Sequence, residues 1–334
     1  MRILMIGFGT VGQGFVELLK DKRLDHLKIV GVYDLKMGGA VDQTGIPPEK
    51  LLEAARARDL SSLPGGFKGN VSVKELIKDT PADLLVEVTY TNLKDGEPAY
   101  TYIKEALKTG KHVVTTNKGP IALYYKELRE LASSVHKYLR FEGTVLSGTP
   151  VINLVQYTLR GSYLHKIRGI LNGTTNYILS LMEKGVDYAA ALREAQDKGY
   201  AEADPTGDVE GWDAMAKVLI LANVLMDGNL SKEDVEREGI TSLDVEKVRE
   251  ASEKGEKWKL VGEVIRENGK VKARVRPTRV KPDDRLFHVD GVVNSVVFYT
   301  DTLGEVQITG PGAGRRETGY AVLSDVLSIE GGEK

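Results

Sequence analysis

The sequence predicts an α/β protein: a doubly wound parallel sheet with helices on its faces comes first, and an α+β domain follows. Up to about residue 145, short runs rich in β-branched residues alternate with amphipathic stretches, the pattern of a parallel sheet. Beyond residue 150, helical patterns dominate and long alternating strands follow them. The chain of 334 residues is long enough for two such domains.

The first part contains five predicted strands and three predicted helices. The strands are the segments RILMIG (2–7), LKIVGVYD (27–34), DLLVEVTY (83–90), KHVVTTN (111–117) and YLRFEGTV (138–145). The first helix, VGQGFVELLKD, has Phe15, Leu18 and Leu19 on one face. Two more helices are predicted near 97–109 and 120–136. Strands that alternate with helices of this length form one sheet covered by those helices.

The second part combines helices with an antiparallel hairpin. Helices are predicted over 150–160, 174–199, 208–227 and 244–256. The segments WKLVGEVIRENG and KVKARVRPTRVK meet at Asn268-Gly269, a dipeptide that favours a tight hairpin turn. Further strands are predicted over 294–300 and 304–310, and a helix follows the glycine turn GPGAG.

Composition excludes several classes of function. Lys+Arg 46 nearly balance Asp+Glu 48, so a net charge of −2 gives no electrostatic case for binding nucleic acid or an anionic membrane. No apolar run approaches the ~20 residues of a membrane span. The absence of cysteine excludes disulfides and a cysteine nucleophile, and it suits a cytoplasmic protein. The five histidines are scattered without zinc spacing.

The segment GFGTVG is the strongest single motif. Gly7, Gly9 and Gly12 form G-x-G-x-x-G between the first strand and the first helix, and Asp34 ends the second strand 22 residues later. Phosphates would lie on the helix N-terminus, formed by Thr10 and Val11. The sequence therefore predicts a Rossmann-type dinucleotide-binding domain.

The cofactor's identity stays open at this point. The carboxylate of Asp34 would bind the ribose hydroxyls and repel a 2′-phosphate, which favours NAD. However, Lys36 follows two residues later, and Arg56 and Arg58 lie in the next connection, so NADP is also compatible with the sequence.

Lys118 follows the predicted strand 111–117 directly. Ligands of open α/β sheets bind in the crevice outside the carboxyl ends of the strands, and Lys118 falls there. Pro120 suits the start of a helix. A solvated lysine is the alternative interpretation.

An acidic cluster lies in the segment GYAEADPTGDVEGWDAMAK. It contains five carboxylates and ends at Lys217; the carboxylates are Glu202, Asp204, Asp208, Glu210 and Asp213. A helix that begins near Asp208 as its N-cap places Asp213 and Lys217 on the apolar stripe, one turn apart. An ordinary surface ion pair does not explain this inward position.

The cluster's ligand is predicted to be cationic. Oxygen ligands suit a divalent metal, but the lysine ammonium would compete with the metal ion. A substrate that carries an ammonium group fits better. Glu202 and its neighbours would hold that group and leave Lys217 for proton transfer.

Four stretches carry a resemblance to a known family. They are TTNKGPIA (115–122), GILNGTTNYIL (169–179), GYAEADPTGDVEGWDAMAKVLILA (199–222) and GPGAGRRETGYAV (310–322). In this order, over almost the whole chain, they resemble the signature segments of homoserine dehydrogenase. The chain resembles a short form without an aspartate kinase or a C-terminal regulatory domain. Its segment GRRETG is more charged than the glycine-rich segment usual in the family.

The resemblance implies an activity and a set of site residues. The family interconverts L-aspartate 4-semialdehyde and L-homoserine with NAD(P), in threonine and methionine biosynthesis. Its two essential lysines match Lys118 and Lys217. The positions that contact the amino acid match Gly173, Thr174, Tyr200, Glu202, Asp208 and Asp213. The implied cofactor set is Gly7, Gly9, Thr10, Val11, Gly12, Asp34, Thr89, Lys118, Gly314 and Thr318.

The resemblance also implies an assembly and a domain division. A monovalent cation, Na⁺ or K⁺, would be held near Glu142, Val145 and Ser147, and a homodimer would form through the sheet of the second domain. Residues 1–147 with 308–334 would be the dinucleotide-binding domain, and 148–307 the catalytic and dimerisation domain.

Aspartate-semialdehyde dehydrogenase is disfavoured because its thioester chemistry needs a cysteine. A non-catalytic dinucleotide sensor is the alternative from another class, and the sequence leaves open which lysine transfers the proton.

Overall fold

The structure is a computed structural model that describes residues 1–69 and 71–332. The chain divides into two compact units. The first unit comprises Met1–Gly148 and Ala313–Lys334, and the second comprises Thr149–Gly312.

The first unit is built on a seven-stranded sheet. Its strands are β1 (Arg2–Ile6), β2 (Lys28–Asp34), β3 (Gly38–Val41), β4 (Gly66–Phe67), β5 (Leu84–Glu87), β6 (His112–Thr115) and β7 (Leu139–Arg140). They lie in the order β4-β3-β2-β1-β5-β6-β7, and β2, β1, β5, β6 and β7 are parallel. Because the chain winds outward from β1 in both directions, the sheet is doubly wound, and the predicted fold class is confirmed.

Five helices connect these strands: α1 (Thr10–Asp21), α2 (Pro48–Ala57), α3 (Val73–Asp79), α4 (Ala99–Lys108) and α5 (Lys118–Ser134). The sequence pattern missed α2, α3 and the antiparallel edge strands β3 and β4. The predicted strand 138–145 was too long, since β7 has only two residues and a 3₁₀ turn at Glu142–Thr144 ends it. Buried residues of α1, including Phe15, Leu18 and Leu19, pack in the core beside the sheet, as the periodicity predicted.

The second unit is built on a six-stranded sheet. Its strands are β8 (Leu164–Ile170), β9 (Val235–Arg237), β10 (Lys257–Glu267), β11 (Lys270–Val280), β12 (Val293–Thr300) and β13 (Gly304–Pro311), in the order β13-β12-β8-β10-β11-β9. The β10–β11 hairpin turns at Asn268 and Gly269, where φ is +51° and +77°. Left-handed backbone at both positions is the geometry that this dipeptide favours.

Five helices complete the second unit: α6 (Gly173–Met182), α7 (Tyr188–Asp197), α8 (Thr206–Val209), α9 (Trp212–Leu225) and α10 (Val245–Glu253). Two long predicted helices are each interrupted near a glycine. Gly185 has φ +86° between α6 and α7, and Gly211 has φ +77° between α8 and α9. Left-handed backbone ends a helix, so the prediction of continuous helices over 174–199 and 208–227 was wrong. The predicted helix 150–160 is a single π-helical segment, Leu154–Thr158.

The last helix, α11 (Arg315–Glu330), belongs to the first unit and packs on α1. Two glycines allow this close approach. A Cβ added at Gly14 would lie 2.0 Å from the Arg315 carbonyl oxygen, and one added at Gly319 would lie 2.5 Å from the Gly14 backbone.

Strand β13 runs to Pro311 and pairs with β12, so the chain returns to the first unit at residue 313 and not at 308. None of the helices within residues 1–69 and 71–332 has the length and hydropathy that a membrane span requires.

Candidate active site

The glycine turn of the first unit has the shape that a dinucleotide needs. Gly7 has φ +92°, and a Cβ there would lie 2.5 Å from the Val88 carbonyl oxygen. A Cβ at Gly12 would lie 2.9 Å from the Gly7 carbonyl oxygen. By contrast, a Cβ at Gly9 would have no atom within 4 Å. The fold therefore requires glycine at positions 7 and 12 but not at position 9, where the space outside the backbone is open.

The start of α1 and the end of β2 complete this turn. Gly9 is the N-cap of α1 and offers no side-chain acceptor, and Thr10 and Val11 begin the helix. The first N–H groups of a helix have no intrahelical partner and favour anions. Asp34 accepts hydrogen bonds from the Phe8 and Lys36 backbone N–H groups at 3.0 and 2.9 Å, which fixes its carboxylate beside the turn. The residues present therefore fit a dinucleotide, with its phosphates at α1 and a ribose at Asp34.

A substitution at Gly9 should separate cofactor binding from folding. Gly9→Ala is expected to leave the melting temperature unchanged and to raise the KM for the cofactor at least about tenfold, because its methyl group fills the open space that the pyrophosphate needs. Steady-state kinetics and thermal unfolding would measure the two effects. Gly7→Ala is the matched comparison: its Cβ meets backbone at a positive φ, so it should lower the melting temperature. An unchanged cofactor KM in Gly9→Ala would contradict the assignment.

A buried network that the sequence analysis missed joins β5 to the start of α5. Glu87 is fully buried and accepts hydrogen bonds from Thr89 and, at 2.7 Å, from the Thr115 hydroxyl. The Asn117 backbone N–H donates to the same Thr115 hydroxyl at 3.0 Å. Burial raises the pKa of Glu87, although the hydrogen bonds from Thr89 and Thr115 oppose that rise. In the sequence, a glutamate within the apolar run DLLVEV could have indicated this buried network.

Lys118 is the first residue of α5, directly after the strand end at which it was predicted. Asn117 is the N-cap, and its side chain accepts from the Gly119 N–H at 3.2 Å and donates to the Tyr90 carbonyl oxygen at 2.9 Å. A cation at a helix N-terminus is opposed by the helix dipole, so helix stability does not explain this lysine. Thr89, the other predicted cofactor residue here, lies on the same network.

The segment GPGAG leads into α11, and two residues that the resemblance implies for cation binding, Ser147 and Glu142, contact the same helix. Gly314 is the N-cap of α11, and Thr318, in its first turn, lies 2.8 Å from the Ser147 hydroxyl. Glu142 is buried, and its backbone N–H donates to Asp325 at 2.9 Å. The unusual charges of GRRETG have local partners, because Arg315 pairs with Glu17 and Arg316 with Asp21 on α1.

In the second unit, Lys217 is buried as the helical stepping predicted. Its Nζ donates to Asp213 Oδ2 and to the Leu171 carbonyl oxygen, both at 2.7 Å. An ammonium group has three N–H donors, so two are fixed by protein acceptors. The pair therefore holds the lysine head group in a defined position, which a flexible surface ion pair would not do.

Asn172 joins the acidic residues, and the sequence analysis missed it. Its Nδ2 donates to Asp208 Oδ1 at 2.6 Å and to Asp213 Oδ2 at 3.0 Å, while its Oδ1 caps α6 by accepting from the Thr175 N–H. Asp208 was predicted to cap a helix of its own, but that prediction was wrong because α9 begins after the left-handed Gly211. Burial, together with the nearby charge of Asp213, raises the pKa of Asp208.

The remaining predicted substrate residues divide into two groups. Gly173 and Thr174 begin α6, and the Thr174 hydroxyl donates to the Tyr200 carbonyl oxygen at 2.6 Å, which ties the start of α6 to the acidic segment. The Glu202 side chain is exposed and makes no hydrogen bond or ion pair within the described part of the chain. Thus six predicted residues, Gly173, Thr174, Tyr200, Asp208, Asp213 and Lys217, come together around Asn172. Across residues 1–69 and 71–332, no group of three or more His, Cys, Asp or Glu could hold a metal ion.

Family models match both units. Residues 7–142 match the model of the homoserine dehydrogenase NAD binding domain, and residues 150–327 match the model of homoserine dehydrogenase itself. These matches place the chain among the NAD(P)-dependent oxidoreductases, in agreement with the dinucleotide turn of the first unit. The chain belongs to the homoserine dehydrogenase family, which confirms the resemblance seen in its sequence.

Full-length relatives agree with this assignment. The chain is 42% identical to the NAD(+)-dependent homoserine dehydrogenase of Pseudomonas canavaninivorans, covering 98% of this chain and 96% of the relative. It is also 42% identical to the homoserine dehydrogenase of Methanocaldococcus jannaschii, over 98% of each chain. Among solved structures, a putative homoserine dehydrogenase from Archaeoglobus fulgidus superposes with a TM-score of 0.88 at 38% identity, covering 98% of this chain and 99% of that one. A hyperthermophilic archaeal homoserine dehydrogenase in complex with NADPH gives 0.85 at 31% identity, covering 100% and 98%.

Proposed function

We propose that this protein interconverts L-aspartate 4-semialdehyde and L-homoserine with a nicotinamide cofactor. The observation that carries the proposal is Lys217, held by Asp213 and the Leu171 carbonyl oxygen, within a segment that matches the family model. The first unit would bind the cofactor through Gly7, Gly9, Gly12, Thr10, Val11, Asp34, Thr89, Lys118, Gly314 and Thr318.

The protein's own residues supply proton transfer and orientation. When bound, the cofactor supplies or accepts a hydride at the carbon that carries the reacting oxygen. Lys217 Nζ uses two donors on Asp213 and Leu171. In reduction, its third N–H gives a proton to that oxygen and leaves a neutral amine; in oxidation, the neutral amine accepts the proton of the hydroxyl group. Lys118, the first residue of α5, matches the second lysine that the family resemblance implies to be essential.

The acidic residues select the substrate's ammonium group. Asp208 is the main candidate, because the Asn172 amide orients its carboxylate and partial burial limits competition from water. Glu202 is exposed and unpaired within the described residues, so we propose that it engages only when the amino acid is bound.

Substrate affinity should depend on the ionisation of Asp208. Because its pKa is raised, Asp208 becomes protonated at a higher pH than an ordinary carboxyl, and a neutral group holds an ammonium less strongly. The KM for homoserine is therefore expected to rise as the pH falls from about 8 to about 5. Asp208→Asn should raise KM throughout and flatten this dependence. The exposed neighbour Asp204 is the control, and an unchanged pH profile in Asp208→Asn would exclude this role.

The direct test is a spectrophotometric assay with homoserine, run in parallel with NAD and NADP. We expect reduced cofactor to appear with both, and NAD to give the higher kcat/KM because Asp34 repels a 2′-phosphate. No reduction by protein that binds the dinucleotide tightly would overturn the activity and favour a non-catalytic sensor. A higher kcat/KM with NADP would overturn only the cofactor preference.

We also propose that a monovalent cation binds near Glu142, Val145 and Ser147. Leu146 and Ser147 both have φ +55°, a left-handed pair that two consecutive non-glycine residues adopt only at a cost in strain. Carbonyl oxygens are suitable ligands for Na⁺ or K⁺. Dependence of the initial rate on added KCl or NaCl, with choline chloride as the control salt, tests the site.

The family resemblance further supports a homodimer formed through the sheet of the second unit, and the lack of cysteine supports a cytoplasmic location. Sedimentation equilibrium should give twice the mass of one chain. A monomer at enzyme assay concentrations would contradict the dimer.

A further inference from the structure

Asn294 is a buried amide without a partner. It lies on β12, is 1% exposed, and neither its Nδ2 nor its Oδ1 has a hydrogen-bond partner among the described residues. Leaving both ends of a buried amide unpaired is unfavourable, so the Asn294 amide needs a hydrogen-bond partner from outside the protein. Asn294 is not among the predicted site residues and has no part in the proton transfer by Lys217.

The Asn294 side chain lies between two glycines of the second unit. Its Oδ1 would be 3.4 Å from a Cβ added at Gly173 and 2.0 Å from one added at Gly312. The amide itself requires glycine at position 312, whereas at position 173 a Cβ would be opposed by the Val292 carbonyl oxygen at 2.7 Å. In addition, Asn176 of α6 donates to the carbonyl oxygen of Val293, the residue before Asn294, at 3.2 Å. The amide is thus fixed beside the first turn of α6.

The neighbouring groups define the charge of the ligand. The N–H groups of Gly173 and Thr174 have no acceptor within α6, and the positive end of the helix dipole favours an anion there. The preceding residue, Asn172, is bonded to Asp208 and Asp213, which favour a cation. A cation subsite and an anion subsite therefore lie on adjacent residues. An α-amino acid carries its ammonium and carboxylate on one carbon, so it presents both charges to neighbouring groups.

We infer that Asn294 is a substrate-binding residue whose amide, together with the first N–H groups of α6, binds the α-carboxylate of the amino-acid substrate. A half-turn of the amide exchanges its donor and acceptor ends and presents Nδ2 to the carboxylate. The inference rests on the proposed amino-acid substrate, and it adds a residue that the family resemblance did not supply.

The test compares two ligands that differ by the carboxylate. Homoserine and 3-aminopropan-1-ol, which has the same hydroxyl and ammonium groups but no carboxylate, are titrated by calorimetry into protein saturated with NADH, where homoserine cannot be oxidised. Asn294→Ala is expected to weaken homoserine binding by about 10- to 100-fold and to leave 3-aminopropan-1-ol binding unchanged. Its melting temperature without ligand should be unchanged or raised, since an unpaired buried amide is removed.

Ser295→Ala is the matched control, because Ser295 is the next residue of β12, is equally buried, and has its hydroxyl paired with the Ile308 carbonyl oxygen. It should leave both affinities unchanged. If Asn294→Ala weakens the binding of both ligands equally, the amide shapes the site and does not bind the carboxylate. If homoserine binding is unchanged, the amide is not part of the site. Either result overturns the inference. Failure of the wild type to oxidise homoserine, with binding that still depends on Asn294, would overturn the proposed function alone.

Discussion

Replacing Lys217 by alanine is expected to lower the turnover number by about 10²- to 10⁴-fold, the range for loss of a general acid–base group. The side chain is buried and two of its donors are fixed, so no neighbouring group replaces the proton donor. Asp213 keeps the hydrogen bond from Asn172, so the fold should persist. Steady-state kinetics with homoserine and far-UV circular dichroism would measure both properties.

Lys198→Ala is the matched control for this experiment. Lys198, the C-cap of α7, is also a lysine of the second unit that pairs with a carboxylate four residues earlier, Glu194, but its side chain is half exposed. It should keep normal turnover. A folded Lys217→Ala variant with turnover near that of the wild type would exclude proton transfer by Lys217 and direct attention to Lys118.

Replacing Lys259 by methionine is expected to lower the free energy of unfolding by about 3 kcal/mol. Lys259 on β10 is fully buried, and its Nζ donates to Asp290 at 2.7 Å and to Asn176 at 3.2 Å, with Glu183 at 3.7 Å. Methionine fills the space but leaves these acceptors without their donor. The expected loss is at the low end of the range for a broken buried pair, because Lys257 still neutralises Asp290 at 2.7 Å.

Urea denaturation at equal chain concentration would measure this loss. Lys272→Met is the control, since Lys272 lies on the adjacent strand β11 and pairs with Glu267 at 2.8 Å in solvent. An exposed pair contributes less than about 1 kcal/mol. Equal losses of unfolding free energy in the two variants would show that burial does not increase the contribution of the Lys259 ion pair to stability.

Much of the first unit could be predicted because its signals are local. The G-x-G-x-x-G turn occupies six consecutive residues, and the strand ends that carry Asp34 and Lys118 are read from short apolar runs. The edge strands β3 and β4 could not be predicted, because Gly38, Gly39 and Gly66 have low strand propensity, and only pairing with β2 and with each other keeps them extended.

In the acidic cluster, helical periodicity was sufficient for one conclusion and insufficient for another. The four-residue step from Asp213 to Lys217 correctly predicted an inward-facing pair. The same reasoning wrongly placed the helix start at Asp208, because helical periodicity gives no sign of the left-handed backbone that Gly211 adopts. The carboxylates of Glu202 and Asp208 look equivalent in sequence, yet one is exposed and the other is bonded to Asn172.

The sequence by itself determined the fold class, the dinucleotide turn and the positions of the two lysines, because each follows from local patterns and from their order along the chain. Only the tertiary structure decided the partners of those lysines and carboxylates. The Leu171 carbonyl oxygen is 46 residues from Lys217, Asn172 is 36 and 41 residues from Asp208 and Asp213, and Asn294 reaches the start of α6 from a distant strand. Contacts over such separations arise from the packing of one element on another, which no periodic pattern within a single element encodes.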